Sequence, residues 1–164
     1  MDDDMPGRDA SADGRDETAA ERADRNWIEI VQELRVTQTG TQILAGFLLT
    51  VAFQSTFADL EPYQHAVYLG LVLVAAATTT LGFVPVSLHR RLFRKHEKPR
   101  LVTAGDRILK IVLVLVSILT AGVVFFLFDV VASLTLAIVI GALVALGMVL
   151  VLLVYPLLNT RRRR

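Results

Sequence analysis

Residues 89–107 read HRRLFRKHEKPRLVTAGDR, in which Arg90, Arg91, Arg94, Lys95, Lys98, Arg100 and Arg107 face only Glu97 and Asp106, and a long apolar run lies on either side. Lys and Arg next to membrane-spanning helices are retained on the cytoplasmic side, so this stretch reads as a cytoplasmic loop between two spans. The apolar segments around it set the rest of the topology.

Upstream of the loop, the chain carries no formal charge from Tyr63 to His89, apart from the titratable His65, and this length comfortably crosses a hydrocarbon core of about 30 Å. Pro62 suits the first turn of that helix, where its missing donor costs nothing, and Pro85 near the other end should kink it or end it early. Downstream, Thr103 and Asp106 have capping-box spacing, Lys110 can snorkel, and residues 111–128 supply a third span that Asp129 interrupts. A fourth begins near Ser133 or Leu134 and ends before the basic stop Arg161, Arg162, Arg163 and Arg164.

The remaining span lies nearer the N-terminus. Asn26 is positioned to cap a helix with Glu29 three residues on, and Trp27, Ile30, Val31 and Leu34 form one apolar stripe. This amphipathic piece reads as an interfacial helix with Trp27 at the headgroups. It leads without a proline into residues 41–57, uncharged and just long enough to cross if residues 37–40 enter the membrane too. Asp59 and Glu61 then mark an acidic turn on the far side. Residues 1–25, rich in Asp, Arg, Ala and Gly, cannot bury enough surface to offset their ordering entropy and are expected to be disordered; they do not read as a signal peptide.

The expected fold is therefore all-α: a membrane four-helix bundle of two transmembrane hairpins over residues 26–160, with spans near 38–57, 63–88, 109–128 and 134–158. An amphipathic helix and a disordered acidic tail precede it, and a basic tail at 161–164 follows. Both termini would be cytoplasmic. The two halves share faint features, since Pro85 and Pro156 each stand five residues before an arginine, but any pair of hairpins tends to place acids outside, basics inside and prolines near helix ends.

Three segments, QELRVTQTGTQIL at 32–44, FADLEPYQ at 57–64 and FVPVSLHRRLFR at 83–94, resemble a family of small actinobacterial integral membrane proteins of unknown function. The resemblance implies four membrane helices and a bacterial plasma membrane, and it brings no active site with it.

Composition excludes several chemistries. With 54% apolar residues and a mean hydropathy of +0.54 the chain exceeds the roughly 45–50% apolar content of soluble domains. It has no cysteine, which removes disulfides, thiolate nucleophiles and Cys-ligated metals, and its three histidines lack HExxH-type spacing. There is no GxxxxGKS/T, GxGxxG or GxSxG, so no nucleotide-driven, Rossmann or α/β-hydrolase activity is indicated. No catalytic residue, metal, cofactor or nucleic-acid partner is expected.

The polar side chains that remain suggest two sites. Gln38, Thr41, Gln42 and Gln54 give the first span an inward polar face, which would line a hydrated path or act as interhelical glue worth about 1 kcal/mol per contact. Glu29 and Glu33, one turn apart, could attract Arg90 and Arg91 of the loop, or simply form a solvated charged face. Arg94, Lys95, Lys98 and Arg100, with the four terminal arginines, would lie against anionic lipid headgroups. Ala137, Gly141 and Ala145 make a narrow strip for a neighbouring helix, within the chain or in a homo-oligomer. The functional expectation is a non-enzymatic structural or interaction protein of the plasma membrane; the alternative is a transport or channel subunit using the polar face.

Overall fold

A computed structural model describes residues 18–87 and 98–154, all of it helices and short connections. Helix α1 is Ala19–Ala52, α2 Pro62–Gly82, α3 Lys98–Val131 and α4 Leu134–Val149. A 3-10 turn at Ser55–Asp59 joins α1 to α2, and α4 continues into a π turn at Leu150–Val154.

The start of α1 differs from the sequence expectation. Thr18 rather than Asn26 is the N-cap: its Oγ1 accepts from the Glu21 N–H at 3.3 Å while Glu21 Oε2 accepts from the Thr18 N–H at 2.8 Å. A reciprocal capping box satisfies two otherwise orphan donors, and the strong helix formers that follow carry the helix into the apolar region. The amphipathic stretch is thus no separate interfacial element but the first half of one 34-residue helix. Residues 1–17 lie outside the described part.

Helix α3 likewise begins earlier than expected, at Lys98, so Thr103 and Asp106 stand inside it and Asp106 bonds Lys110 at 2.7 Å instead of capping. It also runs through Asp129 to Val131; the turn falls at Ala132 and Ser133, where Ser133 Oγ caps α4 by accepting from the Leu136 N–H at 3.4 Å. α2 opens with Glu61 as N-cap and Pro62 in the first turn, and the α-helix ends at Gly82, three residues before the buried Pro85.

Burial explains how the helices fit. The buried positions recur at intervals of seven, at Leu34, Thr41 and Leu48 in α1, at Tyr68, Ala75 and Gly82 in α2, and at Val112, Leu119 and Phe126 in α3. A seven-residue repeat keeps one seam facing its partners along a long contact, as in left-handed helical bundles. α3 is the hub, packing against α1, α2 and α4. Two apolar clusters fill the seam: Leu48, Tyr68, Leu71, Leu119, Val123 and Phe126 at one end, and Ile30, Leu34, Leu109 and Val112 at the other.

Trp27 belongs to the second end. A Cβ at Gly105 would lie 3.0 Å from Trp27 Cζ3, so the indole is half-buried on α3 where glycine leaves room. This close approach packs the charged half of α1 against α3.

The outside of the bundle is apolar. Val36, Ile43, Leu69, Leu73, Ile138 and Leu143 are all more than half exposed, where a water-soluble bundle would carry charge. Among the described residues, three helical segments are long and apolar enough to cross a bilayer: Pro62–Ser87, Val102–Val131 and Leu134–Val154. α1 does not qualify by composition, because Gln38, Thr39, Thr41 and Gln42 dilute its apolar part. At 1.5 Å per residue both α1 and α3 are about 51 Å long, well beyond a hydrocarbon core of about 30 Å.

Candidate functional site

The polar chemistry inside the bundle gathers at one end. Asp129, in the last turn of α3, is 8% exposed. Helix carbonyls make that end of α3 electrically negative, so a carboxylate there needs donors from elsewhere. The start of α2 supplies them. The Tyr63 hydroxyl donates to Oδ1 at 3.0 Å and Oδ2 at 2.9 Å, and Gln64 Nε2 donates to Oδ2 at 2.9 Å. Gln64 is itself held, since its Oε1 accepts from the Glu61 N–H at 2.9 Å as part of the α2 capping box. One helix cap therefore aims an amide at the acid of another helix.

An aromatic group backs this network. Phe57 meets His65 and Tyr68 edge-on, each with ring centroids 4.9 Å apart, and the Tyr68 hydroxyl donates to the Leu48 carbonyl of α1 at 3.0 Å. That carbonyl also serves its own helix, so the bond costs α1 nothing and pins α2 to it. The sequence marks Asp129 as the end of a span and does not point to Tyr63 and Gln64 as its partners. The available signal was its position three residues beyond Phe126 on the inner side of α3, matched by Gln64 four residues before Tyr68 on the inner side of α2.

The polar side chains of α1 divide. Thr41 is almost fully buried between the two apolar clusters, and its hydroxyl donates to the Thr37 carbonyl at 2.9 Å. Gln38 is half-buried, with its amide packed on Gly82 so closely that a Cβ there would overlap it. Gln42 is exposed on the outer side, and Gln54 lies beyond α1 as the exposed residue before the 3-10 turn. The four therefore do not share one face: Thr41 and Gln42 point about 100° apart, as adjacent helical residues must, and α1 ends before Gln54. Thr78, fully buried on α2, is another interior hydroxyl, and it donates to its own Val74 carbonyl at 2.7 Å.

Glu29 and Glu33 are exposed on α1, while Arg90, Arg91, Arg94 and Lys95 lie outside the described residues. Lys98 and Arg100 fall in the first turn of α3, and Arg161, Arg162, Arg163 and Arg164 are likewise outside the described part. The small-residue strip of α4 is split: Ala137 and Gly141 are buried on α3, whereas Ala145 is exposed. Among the described residues, no cluster of three or more His, Asp or Glu could hold a metal ion.

Residues 16–156 match DUF6328, a family of unknown function, and this range contains every helix described above. The chain belongs to that family. No curated protein and no solved structure matches it. The DUF6328 match takes in both the Asp129 network and the Thr41 layer, so the two polar features lie within the family's own region and not in an appended segment.

Proposed function

We propose that this DUF6328 protein is a four-span protein of a bacterial, actinobacterial plasma membrane, with both termini cytoplasmic, and that it works as a non-enzymatic structural or interaction protein. α1 crosses with the other three helices even though its composition alone is marginal. The support is its packing: Leu48 is buried among Tyr68, Leu119 and Phe126 of two helices that are apolar enough to span, and Tyr68 bonds its backbone. A helix clamped to two spans at that level shares their depth. Its polar side chains then need partners within protein, and Thr37, Thr41 and Thr50 find them in their own preceding turns.

The observation that carries the functional reading is this internal use of hydroxyls. With Thr41 and Thr78 back-bonded and Gln38 packed on Gly82, the middle of the bundle presents contact surface in place of a row of donors to a moving solute. The ends are where the chain differs from plain lipid-facing helices. On one side the paired, charged halves of α1 and α3 carry Glu29, Glu33, Arg35, Arg107 and Lys110 out of the apolar region, suited to a protein partner or to anionic headgroups.

The transport reading draws on one observation, the carboxylate of Asp129 buried at the opposite end. Two measurements separate the readings. Crosslinking and co-purification from native membranes should recover a partner through the α1 and α3 ends, and liposomes carrying the pure protein should pass protons and small ions no faster than empty ones. Flux lost on Asp129→Asn would favour transport instead.

A further inference from the structure

A hollow of about 460 Å³ runs between α3 and α4. It exists because the two helices part. Gly141 holds α4 so tightly on α3 that a Cβ there would lie 3.1 Å from Phe125 Cβ, yet the next small residue of the strip, Ala145, is exposed. Small side chains, Ser117 and Ala121 of α3 and Ala145 of α4, leave the space, and Ile118, Met148 and Leu152 wall it. The Ser117 hydroxyl is spent on the Leu113 carbonyl at 2.8 Å, so the lining offers an occupant hydrocarbon contact alone.

The same face of α3 changes character one turn further on. Arg107, Lys110, Val114 and Ala121 fall within one narrow sector of the helix, since residues seven apart nearly eclipse one another and Lys110 is four before Val114. Arg107 is exposed, and the Lys110 side chain, 71% exposed, bonds Asp106, itself 49% exposed, in an ion pair that water weakens and a stronger anion could share. Beyond the Val114 end of the hollow the same face of α3 thus carries two cations, and past its other end the close approach of Gly141 to Phe125 brings the two helices together. From Val114 to Ala121 the hollow extends about 10 Å, comparable with the roughly 15 Å of hydrocarbon in one leaflet.

We propose that this hollow seats one acyl chain of an anionic phospholipid whose phosphate is held by Arg107 and Lys110, an inference that rests on the membrane-spanning reading above. A transmembrane helix from a second copy fits less well. It would be about 10–12 Å across and would need a contact running the length of the span, whereas the hollow is short and stopped at one end.

The test uses the full chain in phosphatidylcholine vesicles doped with phosphatidylglycerol bearing a photoreactive diazirine midway along one acyl chain, and, in parallel, with phosphatidylcholine bearing the same group. Adducts should map to Ser117, Ala121, Met148 and Leu152, with roughly tenfold preference for the anionic probe. Arg107→Gln with Lys110→Gln should abolish that preference and keep the mapped positions. Ala145→Phe should remove adducts from the hollow and keep those on outward Leu143, with unchanged helicity showing that the bundle is intact. Equal labelling of the hollow and Leu143 by both probes overturns the proposal while leaving the membrane reading in place, as does a disulfide between copies through Ser117→Cys with no adduct in the hollow. Absence of labelling anywhere on the chain overturns both.

Discussion

Tyr63 at the start of α2 donates one hydroxyl to both carboxylate oxygens of Asp129 at the end of α3, while its neighbour Gln64 adds a second donor from a buried position. The two donors are not equivalent. Tyr63 is 44% exposed, so water can replace its hydroxyl, but nothing comparable can reach Gln64. Gln64→Leu should therefore destabilise the bundle by about 1–3 kcal/mol, the cost of leaving a buried carboxylate short of a donor. Tyr63→Phe should cost distinctly less. Unfolding followed by circular dichroism in mixed micelles gives the order of the two.

Gly82 and Gln38 form the second test. A Cβ on Gly82 would overlap the Gln38 amide, although the amide is the end of a flexible side chain. Gly82→Ala should thus lose stability in the native background and become neutral or favourable by up to about 1 kcal/mol, the alanine helix preference, when Gln38→Ala has cleared the space. Additive effects in this double-mutant cycle would mean that the two residues do not touch.

The helical class and the apolar character of the chain were readable because they depend on composition and period. The length of α1 was not. Asn26 and Glu29 offer the same capping pattern as Thr18 and Glu21, and the seven residues between the two candidate caps are polar enough to resemble a tail. Tertiary contact decided the rest. Glycine at 105 lets Trp27 lie against α3, a fact no local pattern carries, and that contact turns an apparent interfacial helix into half of a long one. Asp129 misleads for a similar reason: an acid at the end of an apolar run usually marks an exposed turn, and only the donors on α2, more than sixty residues away in sequence, let it stay buried in the last turn of α3. For the polar face, spacing could show that Gln38 and Thr41 are neighbours; it could not show that α1 ends before Gln54.

The capping box of α1 should act locally. Thr18→Ala removes the acceptor for the Glu21 N–H and should cost about 1 kcal/mol in the first turn. Amide hydrogen exchange should quicken near Glu21 and Arg22 and stay unchanged at Leu48. A slowdown nowhere and a speed-up everywhere would mean that the first turn is coupled to the whole bundle.

The Thr41 and Thr78 hydroxyls donate to carbonyls of their own helices, so the double change Thr41→Val with Thr78→Val preserves shape and removes two hydroxyls. Thermal stability in detergent should move by less than about 1 kcal/mol, since the carbonyls they serve keep their helical partners. A much larger loss would reveal a cross-helix role for these hydroxyls.

The central claim is that α1 crosses the membrane with α2, α3 and α4, so that Glu29 and Gln54 lie on opposite sides. Single cysteines, introduced one at a time at Glu29, Gln54, Glu61, His96 and Ser133 in a chain that has none of its own, can be treated in intact cells with a membrane-impermeant thiol reagent. Gln54→Cys, Glu61→Cys and Ser133→Cys should be labelled, and Glu29→Cys and His96→Cys should be labelled only after the cells are opened. Labelling of Glu29→Cys and Gln54→Cys from the same side would show that α1 does not cross and would contradict the four-span account.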